Sequence, residues 1–146
     1  MLLVCCGFAV AGCADRGGAA LADGGSFDFG AQGGWVVVNY WAEWCGPCRH
    51  EIPELNRLHL DEEDVVVLGV NYDGLTGDKL RAVVERMDID FPVLVEDPRE
   101  RWQQALPTVL PSTYLIAPDG QLIDVLLGPQ SMASIKGRMD EHSPPG

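Results

Sequence analysis

From Trp35 to Ala42 the chain reads WVVVNYWA, β-branched and aromatic almost throughout. A run this apolar is what a strand buried on both faces requires. Beyond it, Ile52, Leu55 and Leu58 or His59 recur at helical spacing with charged residues between them, which predicts an amphipathic helix. Pro53 lies inside that pattern and is expected to kink it, because proline has no N–H for the Arg49 carbonyl. DVVVLGVNYD, residues 64–73, repeats the buried-strand pattern. Leu80, Val83, Val84 and Met87 share one face of a helix over residues 76–88. FPVLVED predicts a short strand, and PRERWQQAL a short helix with Pro98 near its first turn. STYLIAPDGQLIDVLLG reads as two strands joined by a turn at Pro118-Asp119-Gly120. SMASIKGRMDEH closes as a helix with Ser131 as its N-cap. The order is β-α-β-α-β-(α)-β-β-α. Alternation in the first half predicts parallel strands with helical crossovers, and the late hairpin adds antiparallel ones. The fold class is α/β: a central mixed sheet flanked by helices.

Composition limits what such a fold can serve. The 146 residues suffice for one domain with a sizeable core, and 47% of them are hydrophobic, as a globule needs. The net charge is −12, from 22 acidic and 10 basic residues. Nucleic acid is therefore not an expected partner, since phosphate binding needs clustered Lys and Arg.

The five cysteines are Cys5, Cys6, Cys13, Cys45 and Cys48. The first three fall in MLLVCCGFAVAGC, whose residues 1–12 are apolar and end in small side chains. Twelve residues are too few to span a bilayer as a helix, which takes roughly 20, but they fit the apolar core of an export signal. VAGC, Val10 to Cys13, resembles the lipobox of bacterial lipoproteins. That resemblance implies cleavage before Cys13, lipidation of Cys13 and a membrane tether. The alternative is a buried N-terminal strand or short helix with incidental cysteines. ADRGGAALADGGS follows and reads as flexible chain. The expected organisation is a signal segment at 1–12, a lipidated N-terminus and tether at 13–26, and a folded domain at 27–146.

Cys45 and Cys48 then remain as the free thiols, placed where a buried strand gives way to a helix. Backbone N–H groups at a helix N-terminus carry partial positive charge, stabilise a thiolate and lower its pKa. Cys48, one turn further in, can attack a mixed disulfide formed on Cys45. Gly46 allows a tight approach, and Pro47 at a first helical position has no N–H to lose. A structural zinc site wants four ligands, whereas there is no second Cys-x-x-Cys and His50, His59 and His142 are scattered. Haem attachment needs a histidine where Arg49 stands. A structural disulfide across two residues would restrain the unfolded chain little.

WAEWCGPC, Trp41 to Cys48, resembles the active-site segment of thioredoxins, and Pro53 falls where that family kinks its active-site helix. VNYWAEWCGPCRHEIPEL together with STYLIAPDGQLID resembles the TlpA-like branch, membrane-tethered thiol–disulfide oxidoreductases of the bacterial envelope. The resemblance spans roughly residues 27–142 and implies a thioredoxin fold. It also implies a cis-proline opposite the cysteines, for which Pro111 in LPSTYLI fits and Pro107 is a rival. Leu110 would then line the substrate groove. Thioredoxin proper carries a buried aspartate where this chain has Asn39, and the TlpA-like branch commonly has asparagine. Asn39 cannot take a proton at ordinary pH, so another group must help Cys48 lose its own. Glu51, three residues after Cys48 on one helix face, is the candidate; a solvated surface glutamate is the alternative. Glu43 reads as plain surface. Trp41 and Trp44 are expected to pack around the site, with Trp44 shielding the thiolate and meeting partners.

The leading expectation is a protein-disulfide reductase on the periplasmic face of a bacterial membrane. Its only redox group is the Cys45–Cys48 pair, with no added cofactor or metal. It acts on protein disulfides, is re-reduced by a membrane electron donor and possesses a lipid anchor on Cys13; cytochrome c maturation is one outlet. The rivals are a disulfide oxidant or isomerase of the same fold, a non-catalytic binding lipoprotein, and peroxidase chemistry, for which no peroxidatic site is found.

Overall fold

The computed structural model describes residues 18–143. The elements run β1 (Ala19–Ala20), β2 (Ser26–Phe27), β3 (Trp35–Trp41), α1 (Gly46–Asp61), β4 (Val65–Asn71), α2 (Gly77–Arg86), β5 (Val93–Leu94), a 3-10 turn (Arg99–Trp102), β6 (Ser112–Ile116), β7 (Leu122–Leu127) and α3 (Met132–His142). The order expected from the sequence is present from β3 onward. Cys5, Cys6 and Cys13, with the expected signal segment and lipidation site, lie outside the described residues.

Five strands form one sheet in the order β5-β4-β3-β6-β7. β3 is central, parallel to β4 and antiparallel to β6, and β5 runs parallel to β4. Its residues from Val36 to Trp41 are all buried, so both faces must be apolar, which is why WVVVNYWA lacks a polar–apolar alternation. Odd positions Val37 and Trp41 join a core containing Leu55 and Leu58 of α1, Leu80 and Val83 of α2, and Ile135 and Met139 of α3. Even positions Val36, Val38 and Tyr40 join a second core with Phe27, Leu68, Val70 and Tyr114, covered by Phe29 and by Trp102 of the 3-10 turn. The three α-helices thus serve one face, and an aromatic cluster serves the other: the Phe29 ring meets Phe27 at 4.8 Å and Trp102 at 5.6 Å, both edge-on.

The tether ends earlier than the sequence pattern places it. Residues 19–25 are not loose chain: β1 pairs with β2, and the segment docks on the edge of β5. The Ala22 N–H donates to the Val93 carbonyl at 2.8 Å and the Val95 N–H to the Ala20 carbonyl at 2.9 Å. Gly, Ala and Asp bury little by themselves, but an open sheet edge supplies backbone partners that composition does not register. The domain therefore includes residues 18–26.

α1 runs through Pro53 without ending. α3 opens on a capping box, in which the Ser131 side chain accepts from the Ser134 N–H at 3.1 Å and Ser134 Oγ accepts from the Ser131 N–H at 3.0 Å. Among the described residues no helix is long and apolar enough to cross a membrane.

Candidate active site

The site forms where β3 ends. After Trp41 and Ala42 the chain turns through Glu43 and Trp44, and Cys45 becomes the N-cap of α1. Cys45 and Cys48 are joined as a disulfide, with their Cα atoms 5.3 Å apart. The Cys48 N–H donates to the Cys45 sulfur at 3.2 Å, so the capping acceptor of this helix is a sulfur where most helices use an oxygen. Cys45 is 5% exposed and Cys48 only 1%; of the two, Cys45 alone lines the adjoining cleft, which makes it the cysteine a partner can reach. Pro47 occupies the first turn, where no N–H is lost.

Cys45 opens onto a cleft of about 350 Å³ lined by Trp44, Gly46, Pro47, Tyr72, Pro107, Thr108 and Leu110. Trp44 is 65% exposed. Its indole N–H points at both Asp73 carboxylate oxygens, each at 3.1 Å, and its ring lies edge-on to Tyr72 at 6.3 Å. Leu106 and Val109 add further exposed apolar surface in the loop that borders the cleft. The Leu110–Pro111 peptide bond is cis. Pro111 itself is buried behind the cleft, and its carbonyl accepts from the Gly128 N–H at 2.9 Å. Pro107, the rival proline, lines the cleft.

Behind the cysteines lies a buried polar group. Glu51 is only 2% exposed, so it is not the solvated surface glutamate of the alternative. Its Oε1 accepts from the Thr113 hydroxyl at 3.4 Å and from the Gln130 N–H at 3.3 Å. Asn39 Nδ2 donates to Thr113 Oγ1 at 3.0 Å. Glu51 Oε2 is buried without a hydrogen-bond partner among the described residues. Burial pushes the Glu51 carboxyl up to about 7, and donors on Gln130, Asn39 and Thr113 pull it partly back. A carboxyl in that range can both take and give a proton near neutrality.

The other titratable residues singled out by sequence have local duties. Glu43 forms a two-point ion pair with Arg86, at 2.8 and 3.0 Å, which holds its carboxyl below the usual range. Nδ1 of His59 accepts from the Val67 N–H at 3.3 Å, tying α1 to β4, and burial lowers its pKa.

The structure thus brings Cys45, Cys48, Glu51, Trp44, Gly46, Pro47 and Leu110 to one end of the sheet, with Pro111 immediately behind. Sequence reasoning missed Thr113, Gln130, Tyr72 and Asp73. Thr113 carried a signal of a kind, being a hydroxyl in the strand after Pro111. The Gln130 contribution is a backbone N–H and has no signal in the sequence.

A family model described as AhpC/TSA matches residues 19–125. The chain belongs to the AhpC/TSA family. Among curated proteins it is 28% identical over 115 residues to the thiol-disulfide oxidoreductase ResA of Oceanobacillus iheyensis, a match covering 77% of this chain and 59% of that one. It is 29% identical over 115 residues to the thioredoxin-like protein YneN of Bacillus subtilis, covering 75% of this chain and 66% of the relative. The chain thus spans about three fifths to two thirds of the length of these relatives. Two solved structures carry the same thioredoxin-like fold. The exposed lipoprotein thioredoxin of Streptococcus pneumoniae superposes with a TM-score of 0.72 at 21% identity, covering 85% of this chain and 97% of that one. StoA of Bacillus subtilis gives 0.68 at 17% identity, covering 84% and 94%. The expected thioredoxin resemblance and mixed α/β class are borne out. The family match begins at residue 19, within the stretch that the sequence pattern assigned to the tether.

Proposed function

We propose that this protein is a thiol–disulfide oxidoreductase acting on disulfides of partner proteins. The observation that carries the reading is the Cys45–Cys48 pair at the N-terminus of α1, with Cys45 open to an apolar-rimmed cleft and Cys48 closed off. The names of the curated relatives support it.

In the reducing direction, the Cys45 thiolate attacks one sulfur of a partner disulfide held against Trp44, Pro47 and Leu110. A mixed disulfide forms, and the partner's other sulfur leaves as a thiolate that takes a proton. The helix N-terminus and the Cys48 N–H stabilise the Cys45 thiolate before attack. Cys48 then gives its proton to Glu51 and attacks the Cys45 sulfur. The Cys45–Cys48 bond forms, the second partner thiolate leaves, and two electrons have passed to the partner. Glu51 returns its proton to solvent. The pair is the only redox group the reaction requires, and a dithiol donor restores it.

The finer reading is a reductase of the bacterial envelope, anchored through lipid on Cys13, re-reduced by a membrane donor, with cytochrome c maturation among its outlets. The Cys-Gly-Pro-Cys sequence, the lipobox-like VAGC and the likeness in fold to a lipoprotein thioredoxin support it. Equilibrating the full chain against thiol–disulfide buffers and following Trp fluorescence tests the direction. A potential near about −270 mV is expected for a reductase, and one near about −120 mV would make the protein an oxidant. A pair that does not cycle overturns the enzyme reading. A mass spectrum of membrane-extracted protein tests the anchor: an unmodified Met1 at the N-terminus rules it out.

A further inference from the structure

Two donors far apart in sequence converge on one carboxyl oxygen, and a third residue aims one of them. Asn39 of β3 donates to Thr113 of β6 at 3.0 Å, so the amide occupies an acceptor site on that hydroxyl. The hydroxyl proton is then directed away from Asn39, and it points to Glu51 Oε1 at 3.4 Å. The Gln130 N–H, ahead of α3, donates to the same oxygen at 3.3 Å. Oε1 is thus committed twice over as an acceptor, while Oε2 is buried with no partner among the described residues. A carboxylic proton on Oε1 would oppose two donors; on Oε2 it opposes none.

Among the described residues no charged side chain shifts the titration of Glu51. On its own helix the titratable neighbours are Cys48, one turn before, and Glu54, one turn after. Glu54 is turned away, accepting from the Met132 N–H at 3.1 Å and pairing with Arg57. β3, β6 and the loop before α3 present only Asn39, Thr113 and the Gln130 backbone. Cys48, 1% exposed, lies three residues before Glu51, at the spacing that puts both on one helix face.

We propose that Thr113 is a positioning residue: its hydroxyl, aimed by the Asn39 amide, fixes Glu51 Oε1 as an acceptor and leaves Oε2 to exchange the proton with Cys48. The inference rests on the oxidoreductase reading above. The step is a single proton transfer, from the Cys48 S–H to the Glu51 carboxylate, which frees the Cys48 thiolate to attack Cys45. Removing the hydroxyl withdraws a donor from the ionised carboxylate and raises the pH at which Glu51 releases its proton.

The test uses the full chain and four variants: Thr113→Val, Thr113→Ala, Thr113→Ser and Glu51→Gln. Glu51 is titrated by its carboxyl ¹³C shift in the oxidised protein, the resonance being assigned by its loss in Glu51→Gln. The pH profile of closure of the Cys45 mixed disulfide is followed by stopped flow. Thr113→Val is expected to raise both midpoints by about half a pH unit or more, and Thr113→Ser to restore them. Thr113→Ala, which also removes the hydroxyl, is expected to move them in the same direction and serves if the valine variant does not fold. Unchanged midpoints in Thr113→Val, or in Thr113→Ala, overturn the role of Thr113. A closure profile that Glu51→Gln leaves unmoved overturns the proton-carrying reading of Glu51 itself, whatever Thr113 does.

Discussion

The Gln130 backbone N–H donates at 3.3 Å to Oε1 of Glu51, a residue 79 positions earlier in the chain. This bond joins the loop before the last helix to the helix that carries the cysteines. It adds a second donor, beside the Thr113 hydroxyl, to a carboxyl that is otherwise closed off from solvent.

Burial of Glu51 makes stability depend on pH. Its carboxyl titrates at about 7 in the folded protein against an ordinary value of 4.5. Between those values the folded chain holds a proton that the unfolded chain has released, so stability falls as pH rises through the window and the loss is complete above it. The magnitude is roughly 3 kcal/mol at most. Glu51→Gln cannot ionise. Its stability relative to wild type should therefore rise from pH 5 to pH 8 in urea unfolding of the oxidised protein, and a constant difference would contradict the assignment.

The unequal exposure of the cysteines predicts unequal variants. Cys48→Ser should stop at the mixed disulfide and accumulate a covalent adduct with a disulfide-bonded protein substrate. Cys45→Ser should form no adduct and lose activity altogether, because the remaining sulfur is closed off. Non-reducing gels and mass spectrometry distinguish the two. Adduct formation by Cys45→Ser would reverse the roles.

Gly69 is where β4 passes beneath Trp41. A Cβ there would stand 2.8 Å from Trp41 Nε1, 3.0 Å from Phe91 Cε2 and 3.1 Å from Val93 Cγ2. All three belong to buried side chains. Gly69→Ala should cost about 1–3 kcal/mol through this overpacking, read as a lower urea midpoint with unchanged slope.

Among the described residues, Phe27 is where the chain first enters the core. It is buried against Phe29 in the core opposite the active site. Phe27→Ala should lose about 3 kcal/mol of stability, while the reduction potential of the cysteine pair stays where it was. A variant as stable as wild type would contradict the burial of Phe27 in this core.

Much of this molecule is legible in its sequence, and the reason is local. β3 and β4 are long runs of β-branched residues that only a doubly covered sheet accommodates, and both are parallel neighbours in the structure. Ser131 caps α3 because a cap and its first turn are encoded within four residues. Cys45, Gly46, Pro47 and Cys48 stand out as a candidate site by their spacing together with the strand end and helix start that place them. Tertiary structure decided what depends on partners distant in sequence. Residues 19–25 read as tether because Gly, Ala and Asp dominate them and bury little, yet the edge of β5 gives them backbone partners. Glu51 could be surface or core by its helical position; packing of α1 against the sheet buried it and raised its pKa. Pro107 and Pro111 compete on paper, and the cis bond falls at Pro111 only where β6 enters the sheet. Thr113 and the Gln130 N–H reach Glu51 because separate strands and a loop end at the same place, a coincidence of the fold that no stretch of the sequence contains.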